Sequence, residues 1–124
     1  MELYLVRHGE TEWNKERRLQ GQADVALDDF GRQLAVETGE ALQDIPFDVC
    51  FTSPLKRAKE TAELILAGKD VPIIEDKRII EMGFAEYEGK CCAEEGWDLP
   101  ESFRAFFNDP VGFNLHRAAK IFWQ

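Results

Sequence analysis

The sequence predicts an α/β protein built around a doubly wound, mostly parallel sheet. Short apolar runs that suit strands alternate with longer segments whose apolar residues recur at helical spacing. Each of the two main helical segments also begins just after a residue that can cap a helix. Strand, helix, strand, helix, strand is the order typical of βαβ units, in which successive strands run parallel. With 124 residues, the chain has room for one domain with a core.

The three predicted strands are short apolar segments. They are residues 2–6 (ELYLV), 47–52 (FDVCFT) and 72–76 (PIIED). Apolar runs of this length, bounded by polar or turn-forming residues, are typical of strands in a sheet. Ligands of a parallel α/β sheet bind beyond the carboxyl ends of its strands. The residues that follow these segments are therefore the first candidates for a functional role.

The first predicted helix covers residues 29–43. Asp28 or Asp29 can accept a hydrogen bond from the backbone N–H groups of its first turn. Pro46 marks the break after it, because proline cannot continue a helix. The side chains that share one face at helical spacing are Leu34, Ala35, Thr38, Ala41 and Leu42.

The second predicted helix covers residues 54–67. Ser53 stands at the capping position, Pro54 at the first helical position, and Gly68 just past the last turn. Proline and glycine are both favoured at these ends of a helix. A shorter helix is predicted within residues 100–109.

Composition limits the classes of partner. The net charge of −9 argues against nucleic acid or an anionic membrane as a ligand. No apolar run approaches the length of a membrane span, and Glu2 stands where a secretory signal would have basic residues. We therefore expect a soluble, cytoplasmic protein. The odd number of cysteines, Cys50, Cys91 and Cys92, predicts free thiols and no metal site.

Cationic and cationisable side chains follow two of the predicted strands. Arg7, His8 and Gly9 come directly after the first strand, and Arg57 lies near the start of the second helix. Neutral imidazole is a nucleophile, guanidinium groups match phosphate oxygens, and glycine permits close approach of the backbone to a ligand. In an acidic chain, this pattern predicts a pocket for a small anion. Taken alone, the Arg-His-Gly triplet is equally consistent with a strand-end turn that bears surface charges.

The surrounding sequence contains four motifs in a fixed order. They are RHGETEWN, RLQGQADVALDDFG, TSPLKRAKETA and EMGFAEYEG. Together they resemble the histidine phosphatase superfamily, the phosphoglycerate-mutase-like proteins, from residue 2 to about residue 110. The resemblance implies the doubly wound α/β fold of that family, with no metal and no organic cofactor. It also implies a small phosphorylated metabolite or inorganic phosphate as the ligand.

The resemblance implies four catalytic residues. His8 matches the nucleophile that becomes phosphohistidine, and Arg7 and Arg57 match the arginines that hold the phosphoryl group. Glu81 matches the acid that protonates the leaving oxygen. From the residues alone, Glu86 or a third nearby glutamate, Glu88, could equally be the acid, or all three could lie in a solvated acidic loop.

The resemblance also implies four residues on the substrate side. Asn14 matches a hydrogen-bond donor to the phosphate. Thr11, Gln20 and Gly21 match positions that line the substrate entrance. One position departs from the family pattern, since Ala85 stands where the phosphatase branch usually has glycine.

Family members continue well beyond residue 124, and their second half brings a further catalytic histidine. The only other histidine of this sequence is His116, which has a helix-like setting and no glycine after it. We therefore interpret residues 1–113 as the N-terminal portion of a histidine phosphatase domain that lacks its C-terminal part. Residues 114–124 are interpreted as a divergent tail.

Three functions are consistent with these features. The first is a phosphatase of small phosphate esters that acts through phosphohistidine and is weak or inactive because of truncation. The second is a phosphoglycerate mutase, although EMGFAEYEG and RLQGQAD look more like the phosphatase branch. The third is a remnant that binds phosphate or only assembles. Because truncation would expose a sheet edge and apolar faces, a homo-oligomer is also expected.

Overall fold

The computed structural model describes residues 1–109 and confirms an α/β fold with a parallel sheet. Three short 3₁₀ helices, within residues 77–103, accompany the longer elements. The α-helices and strands, in chain order, are α1 (Glu12–Lys15), α2 (Asp29–Ala41), β1 (Cys50–Thr52), α3 (Lys56–Ile65), β2 (Ile73–Glu75) and α4 (Arg104–Asn108). The predicted tail 114–124 and His116 lie outside the described residues.

Strands β1 and β2 form a parallel pair, as the sequence predicts. Phe51 is the register partner of Ile74. The flanking bonds from Cys50 N to Pro72 O and from Asp76 N to Thr52 O, each 2.9 Å long, extend the ladder. Helix α3 connects the two strands, which is the crossover that a parallel pair requires. Both strands are shorter than predicted, because the regular ladder covers only Cys50–Thr52 and Ile73–Glu75.

Helix α2 begins at the cap that the sequence indicated. The Asp28 side chain accepts a hydrogen bond from Gly31 N at 2.7 Å, so Asp28 and not Asp29 is the N-cap. Of the predicted apolar face, Ala35 is buried, whereas Leu34 is 46% exposed. The helix ends two residues earlier than predicted, with Leu42 as its C-cap.

Helix α3 starts later than predicted, and Ser53 is not its N-cap. Leu55 occupies the N-cap position and contributes no side-chain cap, while Ser53 Oγ accepts a weaker 3.3 Å bond from Leu55 N. The backbone N–H of Lys56 instead donates to the Asp24 carboxylate at 2.7 Å. A carboxylate satisfies an N-terminal N–H and also interacts favourably with the helix dipole. The cap is therefore supplied by a residue distant in sequence.

The prediction of a strand over residues 2–6 is wrong. These residues form no regular element in the structure, and Leu3 and Leu5 are 76% and 88% exposed. A strand exists only where a neighbour completes its ladder. Within residues 1–109, no segment pairs with residues 2–6. An apolar run predicts the tendency to pair, and the pairing itself depends on a partner.

The chain divides into two compact units. The first comprises Met1–Glu12 and Asp24–Ile80, and the second comprises Trp13–Ala23 together with the described residues from Glu81 to Asp109. The core of the first unit lies where α2 and α3 pack together. It contains Ala35, Ile65 and Leu66, with partly buried Leu42, Phe47, Cys50, Leu64, Val71 and Ile73 against them.

The second unit is held by irregular segments around an aromatic core. Its 17–19 segment pairs with 89–92 through bonds from Leu19 N to Lys90 O and from Gly89 N to Leu19 O, at 3.0 and 2.7 Å. The buried core residues are Leu19, Phe84, Leu99 and Phe103. The three cysteines are free, as predicted.

Candidate functional site

The His8 side chain is fixed by the backbone of the next residue. Its Nδ1 lies 2.7 Å from the carbonyl oxygen of Gly9. A carbonyl oxygen only accepts hydrogen bonds, so Nδ1 must carry the proton of a neutral ring. The other ring nitrogen, Nε2, then holds the lone pair. This arrangement leaves Nε2 as a nucleophile.

The segment after His8 is attached to helix α3 through one hydroxyl group. Gly9 N donates to Thr61 Oγ1 at 3.0 Å, and Thr61 Oγ1 donates to the carbonyl oxygen of Arg57 at 2.6 Å. Thr61 is 5% exposed. The hydroxyl thus uses its one proton toward Arg57 and a lone pair toward Gly9. The His8 segment and the helix that bears Arg57 therefore share a buried hydrogen-bonded contact.

Two glycines allow the same segment to lie against the start of helix α2. A Cβ atom added to Gly9 would lie 2.7 Å from the carbonyl oxygen of Gly31, and one added to Gly31 would overlap the carbonyl oxygen of Glu10. Asp28 N also donates to Glu10 O at 2.9 Å. Only glycine permits backbones to approach this closely. The position of His8 is thus determined by backbone contacts with both helices of the first unit.

The four candidates in the first unit differ in burial. Arg57 is 1% exposed and Thr11 is fully buried, whereas Arg7 is exposed and His8 is half-buried. Thr11 also forms an antiparallel bridge with Leu27. Burial limits the conformational freedom of the Arg57 side chain, whereas Arg7 reaches solvent.

The other four candidates belong to the second unit, where a glutamate organises the loop around Gly21. The Glu88 Oε1 atom accepts hydrogen bonds from Gln22 N at 2.8 Å and from Phe84 N at 3.1 Å. Gly21 has φ of +54°, and a Cβ added there would overlap Glu88 Oε1. Gln20 is buried beside this turn, and its carbonyl accepts from Ala23 N at 2.9 Å.

The three glutamates that the sequence left as alternative acids differ in exposure and in their hydrogen bonds. The Glu88 Oε1 atom accepts both of these backbone N–H groups. Glu86 is exposed in a 3₁₀ turn. Glu81 is exposed, accepts from Met82 N at 2.8 Å, and its carbonyl accepts from Gln22 Nε2 at 3.0 Å. Glu88 therefore has a structural role in the turn around Gly21.

The remaining candidate, Asn14, is half-buried in helix α1, and its backbone carbonyl accepts a hydrogen bond from Arg17 N at 3.1 Å.

The sequence analysis did not identify two further residues, Thr61 and Asp24. Thr61 could have been found from its position four residues after Arg57, the spacing at which a helical threonine bonds a backbone carbonyl. Asp24 had no local signal, since it caps a helix thirty-two residues away.

Neither a metal site nor a membrane span occurs in the described part of the chain. Within residues 1–109, no group of three or more His, Cys, Asp or Glu side chains could hold a metal ion. No helix among the same residues is long and apolar enough to cross a bilayer.

Comparison with known proteins identifies the family. Residues 3–121 match the histidine phosphatase superfamily (branch 1). The chain is 42% identical over 98 residues to the uncharacterized phosphatase PhoE of Bacillus subtilis, covering 79% of this chain and 51% of that protein. It is 44% identical over 95 residues to the 2,3-bisphosphoglycerate-dependent phosphoglycerate mutase 2 of Gloeobacter violaceus, covering 74% of this chain and 43% of that protein.

A solved structure agrees with these sequence matches. Bacillus stearothermophilus YhfR superposes with a TM-score of 0.82 at 38% identity, covering 91% of this chain and 56% of that one. The chain spans about half the length of the curated relatives it matches. Because the family match covers residues 3–121, the chain belongs to the histidine phosphatase superfamily.

Proposed function

We propose that the chain acts as a phosphatase on small phosphate esters through a phosphohistidine at His8. The observation that supports it best is the 2.7 Å contact of Nδ1 with Gly9 O, which places the lone pair of a neutral ring on Nε2, the atom that would attack phosphorus. Phosphatases of the same family, including PhoE, are among the relatives. The net charge of −9 makes local cations at Arg7 and Arg57 the natural anchors for a small anion.

Each proposed catalytic residue has one role. His8 Nε2 attacks the phosphorus atom, and the bond from phosphorus to the ester oxygen breaks. Glu81 gives its proton to that oxygen, so the product leaves as a neutral alcohol. Arg7 and Arg57 neutralise the charge on the phosphoryl oxygens. Water then gives a proton to the Glu81 carboxylate and attacks the phosphohistidine. The bond from phosphorus to Nε2 breaks, inorganic phosphate leaves, and both His8 and Glu81 are restored.

Phosphoglycerate mutase is the alternative within the family. Its support is the relative of that name from Gloeobacter violaceus. The phosphatase reading is favoured by the EMGFAEYEG and RLQGQAD segments. Ala85, which departs from the usual glycine of the former motif, has φ of +50°, in the left-handed region that glycine prefers. Incubation with phosphoglycerate separates the two functions, since a mutase forms the isomer and a phosphatase releases inorganic phosphate.

We expect the 124-residue chain to be a slow enzyme. The 124 residues span 51% of PhoE, and a phosphoryl-binding group in the part of that protein that they do not match would be absent from a polypeptide of these residues alone. Loss of one such group costs about 3–4 kcal/mol of transition-state stabilisation, or about a hundred- to a thousandfold in rate. A chain with no turnover that still binds phosphate would favour the third function, a non-catalytic phosphate-binding protein.

An aryl phosphate assay tests the proposal. Wild type should release inorganic phosphate more slowly than PhoE measured side by side. His8→Ala should abolish the activity, and Glu81→Gln should reduce it most for substrates with poor leaving groups, because those need the proton. Glu86→Gln is the matched control and should behave as wild type. Activity that survives His8→Ala would reject the proposed nucleophile.

Self-association is a further part of this proposal. Large apolar side chains of the first unit are exposed, among them Leu5 at 88%, Phe51 at 57% and Ile74 at 45%. Phe51 and Ile74 are register partners on the two strands, so they form a continuous apolar surface. Exposed patches of this kind mark association sites. Light scattering over a dilution series should detect a dimer or larger species that Phe51→Lys weakens, and a monomer at every concentration would reject it.

A further inference from the structure

We propose that Thr61 is a positioning residue that holds His8 in the tautomer and orientation required for nucleophilic attack. The inference rests on the proposed function, because it concerns the same histidine. Thr61 forms a hydrogen bond with the residue that follows His8. It acts through Gly9, whose N–H it accepts and whose carbonyl oxygen in turn accepts the Nδ1 proton of His8.

Three hydrogen bonds form an uninterrupted series. The Nδ1 of His8 donates to Gly9 O at 2.7 Å, and Gly9 N donates to Thr61 Oγ1 at 3.0 Å. Thr61 Oγ1 donates to Arg57 O at 2.6 Å. Gly9 makes one of these bonds through its carbonyl group and the other through its N–H, and only its Cα atom separates the two peptide groups. A shift of its N–H therefore also moves or turns the residue whose carbonyl orients the imidazole.

Burial makes this hydroxyl difficult to replace. Thr61 is 5% exposed, and the contact of Gly9 with Gly31 leaves the segment little space to rearrange. A buried N–H that loses its acceptor must find another partner or remain unsatisfied. Without the hydroxyl, Gly9 is expected to turn toward a new acceptor, and the carbonyl that fixes the His8 tautomer is expected to turn with it.

Helix α2 supplies a matched control. The Thr38 hydroxyl donates to Leu34 O at 2.8 Å, the same bond to a carbonyl four residues earlier that Thr61 makes to Arg57 O. Thr38 is half-buried in a helix that packs against α3 in the same unit. Thr38→Val therefore removes a comparable hydroxyl and back-bond from a comparable helix.

The test measures the tautomer directly. ¹⁵N NMR of the imidazole, on a His116→Gln background that leaves His8 as the single histidine, reports which ring nitrogen has the proton. The spectra are recorded at about pH 8.5, where an ordinary histidine is neutral. Wild type, Thr61→Ser and Thr38→Val should show a protonated Nδ1 and an unprotonated Nε2. Thr61→Val should show a mixture of both neutral tautomers.

Kinetics give the second readout. The rate of phosphohistidine formation should fall about a hundredfold in Thr61→Val, the scale expected when a reacting group is misplaced by about an ångström. Thr61→Ser should recover most of that loss. If Thr61→Val does not fold, Thr61→Cys replaces it, since a thiol is similar in size and a weaker hydrogen-bond partner.

The outcomes separate this inference from the proposed function. A folded Thr61→Val variant with an unchanged His8 tautomer would overturn the inference, as would an equal change in Thr38→Val. If wild type forms no phosphohistidine while the tautomer still changes in Thr61→Val alone, then the proposed function fails and the positioning role of Thr61 stands.

Discussion

The Nδ1 atom of His8 lies 2.7 Å from the carbonyl oxygen of Gly9, so the backbone determines which nitrogen of the ring is nucleophilic. The contact joins adjacent residues, so it can fix the orientation of the imidazole only if Gly9 is itself held in place. Contacts with Thr61 on helix α3 and with Gly31 on helix α2 provide that rigidity. The packing of the two helices thereby contributes to the chemistry of one imidazole.

Gly31→Ala should destabilise the protein although it improves helix propensity. The new methyl group would overlap the carbonyl oxygen of Glu10, which is backbone and cannot rotate away. Overpacking costs about 1–3 kcal/mol, and a clash with backbone belongs to the upper part of that range, about 2–3 kcal/mol. The propensity gain is about 1 kcal/mol. We expect a net loss of about 1–2 kcal/mol in the free energy of unfolding, measured with urea.

The control for that substitution is Gly83→Ala. A Cβ at Gly83 would meet only the flexible end of the Gln22 side chain, no closer than 3.3 Å. It should change the stability much less. A Gly31→Ala variant as stable as wild type would show that residues 9–10 do not pack against helix α2 as described.

Asp24→Ala should weaken the start of helix α3. The Asp24 carboxylate accepts from Lys56 N at 2.7 Å and fills the role of a side-chain cap. Loss of a cap costs about 1 kcal/mol. Urea unfolding should show this loss in Asp24→Ala, less of it in Asp24→Asn, which keeps an acceptor oxygen, and little change in Asp48→Ala at an exposed position. Equal midpoints for all three variants would contradict the capping role.

Glu88→Ala should loosen the turn at Gly21. Two backbone donors, Gln22 N and Phe84 N, would lose their common acceptor. Amide hydrogen exchange at these two positions should accelerate, and the free energy of unfolding should fall by about 2 kcal/mol. Glu86→Ala, two residues earlier, should leave both amides protected. Unchanged exchange in Glu88→Ala would contradict the two hydrogen bonds that Glu88 accepts at this turn.

Asp76 should titrate unusually low. Hydrogen bonds from the Arg78 side chain, then from the Arg78 backbone N–H, lower the pKa of Asp76 to about 2. Because the folded pKa lies below the unfolded one, the stabilisation is present above about pH 4 and disappears as the pH falls toward about 2. Carboxyl NMR should give the low pKa in wild type and a higher one in Arg78→Met, which loses the side-chain hydrogen bonds and keeps the backbone N–H. An ordinary value in wild type would contradict the ion pair.

Much of the fold could be predicted because its signals are local. Asp28 and the periodic apolar residues indicated helix α2, and the alternation of segments indicated parallel strands, as β1 and β2 are. The errors concern partners distant in sequence. Residues 2–6 have the composition of a strand, but a strand also needs a neighbour. Ser53 looked like a cap, and the acceptor that Lys56 N uses belongs to Asp24.

The same limit applies to the candidate site. Motif matching was sufficient to nominate His8, because an Arg-His-Gly triplet after an apolar run is a local pattern. It could not separate Glu81 from Glu88, since the difference is that Glu88 accepts bonds from Gln22 and Phe84. The roles assigned to the eight candidates remain predictions until each has been tested.

In the proposed mechanism, His8 becomes phosphorylated on Nε2. The most direct measurement is mass spectrometry, combined with ³¹P NMR, of the chain quenched under alkaline conditions after mixing with an aryl phosphate, with His8→Asn treated in parallel. We expect a phosphoryl group on Nε2 of His8 in wild type and none in His8→Asn. A wild-type chain that turns over substrate without phosphohistidine, or a label that persists in His8→Asn, would contradict it.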